Sequence, residues 1–350
     1  MSLFTELRMR YPIIQAPMAG VQGSELALAV TRAGGLGSLP AAMLTPAELR
    51  SELGRLTQSG LGPFNINFFC HRQREPDPVA LARWQQRLVP YYAEFGFGIL
   101  PPTVTTAPSR APFNEEHAAM VAEFRPAVVS FHFGLPAPEL LARVKAAGAK
   151  VFASATTVAE AIWLAQHGAD AIIAQGLEAG GHRGHFLSDD LALQQSTLTL
   201  LAQILAVTDL PVIAAGGIVD GKGIANALTL GASAVQMGTS FLCCHEATTS
   251  ALHRAALHSP QGLQTALTNL FSGRPARGIV NRLMRELGPL SDLAPHFPYA
   301  SGALAPLRAA AEKAGDSGFS PLWAGQNVSG CWDLPASELI ACWVKEAGLG

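Results

Sequence analysis

Gly148-Ala149-Lys150-Val151 is one of four copies of a single junction; with Ala33-Gly34-Gly35-Leu36, Gly168-Ala169-Asp170-Ala171 and Gly231-Ala232-Ser233-Ala234 it decides the fold class. In each copy a segment rich in Ala and Leu ends at glycine, and a short apolar run follows at once. Glycine suits the left-handed position that closes a helix, and an apolar run without polar alternation suits a parallel strand covered on both faces. The junction is the helix-to-strand turn of a βα unit.

Outward from these junctions the sequence predicts eight strands: Ile13–Ala16, Leu36–Leu39, Phe64–Phe69, Val128–Phe131, Val151–Ala155, Ala171–Gln175, Val212–Ala215 and Ala234–Met237. Helices are expected over Ser24–Ala33, Pro46–Thr57, Pro138–Ala147, Val158–His167, Ser196–Val207 and Gly221–Leu230. Eight such units close into a (β/α)8 TIM barrel of about 250 residues. Residues 1–245 are therefore assigned to the barrel, and residues 246–350, with a Pro-rich break near 289–298, to a helical C-terminal region covering its mouth. The long stretch between the third and fourth strands, with prolines at 101, 102, 108 and 112, reads as an insertion over the same mouth. An open doubly wound sheet shares the local pattern. It would carry a G-x-G-x-x-G fingerprint after its first strand, where this chain has Ala16-Pro17-Met18-Ala19-Gly20.

Composition excludes several function classes. Across 350 residues, charged side chains make up 14%, against about 25% in ordinary globular chains, and apolar ones 49%, so a disordered or strongly solvated chain is excluded. The net charge of -2 provides no field for nucleic acid or an anionic membrane. Mean hydropathy is positive, yet Gly, Pro, Asp or His interrupts every apolar stretch before the roughly 20 residues a span requires. Glu6, Arg8, Arg10 and Pro12 do not resemble a signal peptide, and the five cysteines form no Cys-x-x-Cys pair, so a cytoplasmic protein with reduced thiols is expected. No feature sets an oligomeric state.

The loops after the last two barrel strands commonly hold phosphate in such folds. Here they carry Gly216 and Gly217, then Gly238, Thr239 and Ser240, which let backbone N–H groups and hydroxyls approach an anion. Tight barrel turns alone would also use these glycines. Gly216-Gly217-Ile218-Val219-Asp220-Gly221-Lys222-Gly223 nearly matches a P-loop but ends in Gly where Ser or Thr binds magnesium, so nucleotide hydrolysis is not expected. After the sixth predicted strand comes Gln175-Gly176-Leu177-Glu178-Ala179-Gly180-Gly181-His182-Arg183-Gly184-His185, where two glycines let the main chain pass close to a flat ligand beneath His182. His132 ends the fourth strand at the same rim. A satisfied rim histidine is the alternative for each, and His182 with His185 as metal ligands is disfavoured by the flanking glycines. Asn65 and Asn67 share one face of the third strand and require hydrogen-bond partners.

These residues resemble a known family. Gln15-Ala16-Pro17-Met18-Ala19-Gly20, Asn65-Ile66-Asn67, Ser130-Phe131-His132-Phe133-Gly134, the Gln175–His182 loop, Ala214-Ala215-Gly216-Gly217-Ile218 and Gln236-Met237-Gly238-Thr239 together are similar to nitronate monooxygenase, formerly 2-nitropropane dioxygenase, in its bacterial class I form. The likeness covers residues 1–245, and beyond it only Trp323-Ala324-Gly325-Gln326 stands out. It implies a barrel holding FMN non-covalently, with Asn67, Gln175, Gly180, Gly217, Gln236, Met237, Gly238 and Thr239 in contact with it. His182 and His132 are the implied catalytic residues, no metal is implied, and Tyr299 is a candidate from the C-terminal part without an identified lysine partner. The implied reaction passes electrons from a nitronate of the propionate 3-nitronate type, or from a nitroalkane, through FMN to dioxygen, and yields a carbonyl compound with nitrite or nitrate. His182 serves either as base for a neutral nitroalkane or, as imidazolium, as an anchor for the nitronate. An NAD(P)H-dependent quinone or enoyl-thioester reductase and a non-catalytic flavin-binding protein share the same loops.

Overall fold

The computed structural model describes residues 3–97 and 110–350. Its strands are β1 (Ile13–Gln15), β2 (Gly37–Pro40), β3 (Phe64–Phe69), β4 (Val128–His132), β5 (Lys150–Ala155), β6 (Ala171–Gln175), β7 (Gly181–His182), β8 (Val212–Ala215), β9 (Ala234–Met237), β10 (Thr265–Thr268) and β11 (Ala276–Ile279). Eight of them form one parallel sheet in the order β1-β9-β8-β6-β5-β4-β3-β2, and a parallel bridge from Ile14 to Leu36 brings its two ends together as a barrel. The four junction glycines, Gly34, Gly148, Gly168 and Gly231, all have φ between +89 and +106, the left-handed turn that the sequence predicts for them. The six expected helices appear within two residues of their predicted ends.

Strand parity sorts the core. Ile14, Leu36, Val128, Phe152, Ile173 and Ile213 fill the barrel interior, with Leu7 packed against them. Ile13, Val212, Ala214 and Val235 face the helices. The interior is thus a packed floor rather than a pore, and ligand space remains only above it, at the strand C-termini.

The C-terminal extension is helical, with Ala251–His258, Arg282–Leu287, Ala300–Lys313 and Ala336–Ala347, and it adds the β10–β11 hairpin, which the sequence reading did not include. Short strands of mixed polarity such as Thr265–Thr268 carry no period that distinguishes them from loop. The helix Ala336–Ala347 packs against Ser24–Arg32 and Gly221–Thr229, the place of an eighth ring helix, and buries Leu339, Ile340 and Trp343 there. A second core joins the helix Pro78–Glu94, which follows β3, to Ala300–Lys313, with Trp84 fully buried and its Nε1 donating to the Ala300 carbonyl at 3.1 Å. The rest of the expected insertion, residues 98–109, lies outside the described residues.

Candidate active site

A cavity opens at the C-terminal ends of the strands, with about 1480 Å³ of atom-free space including its open mouth. All ten residues singled out from the sequence line it: Asn67, His132, Gln175, Gly180, His182, Gly217, Gln236, Met237, Gly238 and Thr239. Tyr299 does not; its hydroxyl donates to the Arg74 carbonyl at 2.8 Å, so the C-terminal part reaches the cavity through His253, Pro321, Trp323, Gly325 and Asn327 instead.

One wall is made of turns. Gly216 and Gly217 follow β8 with φ of +125 and +71, and Gly238 and Thr239 follow β9. A Cβ on Gly238 would meet Ala16 Cβ at 3.3 Å and Met18 Sδ at 3.6 Å, so only a small residue keeps this wall open. No Asp or Glu lines the cavity among the described residues. Glu178, which adjoins Gly217, instead accepts from Thr197 N and Oγ1, both at 2.8 Å. The nearby helix Gly221–Thr229 has its N-terminus occupied, with Gly223 N donating to Asp220 at 2.8 Å and Gly221 N to Glu346 at 2.9 Å. That helix end is therefore taken, and on this wall the glycine turns are what remains for the phosphate of a cofactor such as FMN.

The histidine wall is fastened from several sides. The His182 carbonyl accepts from Gln175 Nε2 at 2.9 Å and from His132 Nε2 at 3.1 Å. Because a carbonyl only accepts, His132 carries its proton on Nε2, and its Nδ1 takes the Ser154 hydroxyl at 3.0 Å. His132 thus spends both ring nitrogens on the protein. Gln175 closes the loop further by accepting from Gly184 N at 2.8 Å. Below it Arg183 is fully buried and donates to Gln194 Oε1 and to the carbonyls of Gly176 and Gln175 at 2.7–2.8 Å. Burial pulls its pKa down to about 9, which still leaves it charged at neutral pH.

Gly180 and Gly181 line the cavity, and the protein's own packing also requires them. A Cβ on Gly180 would lie 2.5 Å from the Ala324–Gly325 backbone, and Gly181 sits at φ +73 where β7 pairs antiparallel with β11. Ala276 stands opposite His182 in that pairing. Asn67 donates to Ser130 O and Oγ at 3.2 and 3.0 Å, and Asn65, below the cavity, donates to Ser38 Oγ at 3.0 Å. His185 does not converge with His182: it is buried, with Nε2 3.5 Å from Asp189.

The His182 ring lies 5.5 Å from both Phe297 and Trp323 and 6.2 Å from both Phe69 and Phe133, centroid to centroid. Burial in this aromatic setting holds its pKa well below the ordinary histidine value; Arg110, His132, Arg274 and His71 add to the effect. His132 is pushed to about 3, again chiefly by burial. His182 is therefore a neutral imidazole at neutral pH. Its Nε2 lies 2.8 Å from Ser272 Oγ, a buried hydroxyl that itself donates to the Arg274 carbonyl at 3.2 Å. That hydroxyl meets Nε2 of the ring, and when its proton stays on the Arg274 carbonyl the imidazole carries Nε2–H and keeps the Nδ1 lone pair. Ser272, which meets His182 from outside the cavity lining, and Arg110, which belongs to the lining, were not found from the sequence. Ser272 lies 90 residues from His182 in a hairpin turn without a motif, whereas Arg110 lies inside the stretch already read as an insertion over the mouth, between Pro108 and Pro112.

The nitronate monooxygenase family model matches residues 2–346. A nitronate monooxygenase of Pseudomonas aeruginosa is 42% identical over 97% of both chains. The solved nitroalkane oxidase of Streptomyces ansochromogenes superposes with a TM-score of 0.89 at 39% identity, covering 99% of this chain and 98% of that one. FabK of Thermotoga maritima gives 0.72 at 27%, covering 99% and 95%. Among the described residues no helix is long and apolar enough to cross a membrane. With a barrel, a cavity at its mouth and a family match along nearly its whole length, the chain belongs to the nitronate monooxygenase family and is an oxidoreductase of that kind.

Proposed function

We propose that this enzyme oxidises alkyl nitronates of the propionate 3-nitronate type with FMN as its bound cofactor and dioxygen as the oxidant, releasing a carbonyl compound with nitrite or nitrate. The observation that carries the reading is the cavity itself, with a glycine-turn wall, no carboxylate among its described lining residues, and neutral His182 beside it. When bound, the flavin supplies the one-electron chemistry that connects a nitronate to dioxygen. Gly217, Gly238 and Thr239 receive its phosphate, while Asn67, Gln175, Gly180, Gln236 and Met237 line the space for the rest of it. Residues 1–245 carry the cofactor and the histidines, and residues 246–350 cover the mouth. Five free cysteines suit a cytoplasmic location.

His182 acts through Nδ1, which takes the α-proton of a neutral nitroalkane and so delivers the nitronate. Its depressed pKa leaves the imidazole unprotonated and ready to accept, and argues against imidazolium as the anion's anchor. His132 acts through His182 by holding its carbonyl, and Ser272 by fixing its tautomer. Purified protein should be yellow and release FMN on heating. Anaerobic mixing with a nitronate should reduce the flavin, and admission of dioxygen should restore its colour. Rapid bleaching by NADPH instead, with no response to nitronate, would support the quinone or enoyl-thioester reductase reading.

A further inference from the structure

We propose that Arg110 is the counter-ion of the anionic substrate and selects nitronate over neutral nitroalkane, an inference that rests on the nitronate-oxidising reading above. Arg110 provides the only arginine, lysine or carboxylate among the described lining residues of the cavity. Its Nη1 is buried and has no hydrogen-bond partner. The environment of the guanidinium contains no acid that offsets its burial; the neighbouring charge acting on it is a second cation, Arg308. A buried charge without a partner is costly, and an anion that arrives with the ligand removes that cost.

The location is on the histidine side. The guanidinium carbon of Arg110 is 5.7 Å from the Phe297 ring centroid, and that ring is 5.5 Å from His182 and 4.9 Å from His71. The other arginines of this region stand outside the described cavity lining: Arg274 donates to the His185 carbonyl and stacks 4.1 Å over Phe133, with its Nε buried and unpartnered away from the lining, and Arg183 is fixed beneath the loop. His71 is held neutral, at about 4, by burial and by Arg274 and Arg110, so it does not share the charge. A planar guanidinium fork matches the two oxygens of a nitronate, which carry the negative charge that a nitroalkane lacks.

The test uses flavin-loaded Arg110→Gln and Arg110→Lys. Sodium nitrate, a planar monoanion with the same O–N–O geometry, is titrated calorimetrically, and KM and kcat are measured for propyl 1-nitronate and for neutral 1-nitropropane. Loss of a charge-assisted hydrogen bond should weaken nitrate binding and raise KM for the nitronate by about 10- to 100-fold in Arg110→Gln. Its kcat on the nitronate should change less than about threefold, KM for nitropropane, which arrives without a charge to pair, should stay within about twofold, flavin content should be kept, and Arg110→Lys should recover part of the loss. Unchanged nitrate affinity, equal rises in KM for both substrates, or loss of flavin from both variants would overturn the assignment; the last outcome would give Arg110 to the cofactor. A wild type that binds nitrate through Arg110 yet turns over no nitronate would retain the anion site and reject the functional reading.

Discussion

The glycine wall of the cavity and its histidine wall are built by different means. Gly216, Gly217, Gly238 and Thr239 stand directly after β8 and β9, so two adjacent strands bring them together with no help from distant sequence. His182 depends on distant partners: Ser272 lies 90 residues away, His132 50, and β11 pairs across from it. An anion cradle of backbone turns tolerates this simplicity, because N–H groups point wherever the turn points them. A base needs one tautomer, one orientation and a tuned pKa, and each of these comes from a different neighbour.

The largest expected effect is on the histidine wall. His182→Asn should lower kcat/KM for a neutral nitroalkane by roughly 100- to 10,000-fold, the range for loss of a general base, with a much smaller loss for the preformed nitronate. Flavin content measured in the same sample separates loss of the base from loss of FMN. Equal losses on both substrates would make His182 an anchor, and no loss on either would move attention to His132.

The glycine wall should break through charge. Gly238→Asp places a carboxylate in the cradle at a negative φ, -120, so backbone strain does not confuse the result as it would at Gly217 with φ +71, and Gly238→Asn carries the same bulk without the charge. Repulsion of about 4 kcal/mol at close range in a partly buried site corresponds to about a thousandfold in FMN affinity. Gly238→Ala, with a Cβ near the 3.4 Å of ordinary contact, should keep far more flavin. Equilibrium dialysis against FMN reads all three, and full occupancy in Gly238→Asp would move the phosphate elsewhere.

Ser272→Ala tests the distant support. Removal of one hydrogen bond to the imidazole should cost about 1.4 kcal/mol, about tenfold in kcat/KM for the neutral substrate, with flavin retained and the nitronate reaction affected less. A purely structural role would lower both reactions alike. The smallest effect is a displacement along the pH axis. Because burial lowers the His182 pKa, the unprotonated base persists as pH falls, so the acid limb of kcat/KM for a neutral nitroalkane should lie below pH 6.5. A limb at or above 6.5 would show that the ring is not held neutral by its surroundings.

The βα junctions, the eight barrel strands, the glycine turns after β8 and β9 and the rim histidines were legible because each depends on local rules, whereas Asn67, Gln175, Gly180, Gln236 and Met237 were singled out through the family resemblance. A glycine ends a helix, an apolar run makes a buried parallel strand, and the end of a barrel strand delivers its next residues to the mouth. The β10–β11 hairpin, the return of Ala336–Ala347 to the helix ring, the engagement of Tyr299 with Arg74 and the placing of Ser272 and Arg110 beside His182 obey no such period. Gly180 makes the same point within one motif: its sequence marks a place where the backbone must come close to something, and only the folded chain shows that the neighbour is Ala324–Gly325. The sequence by itself determined the barrel and the strand-end loops that reach its mouth, because those follow from chain neighbours; the tertiary structure alone decided what surrounds the His182 ring, what its Nε2 meets and which way its pKa is driven, because burial and charge sum over groups that only folding brings together.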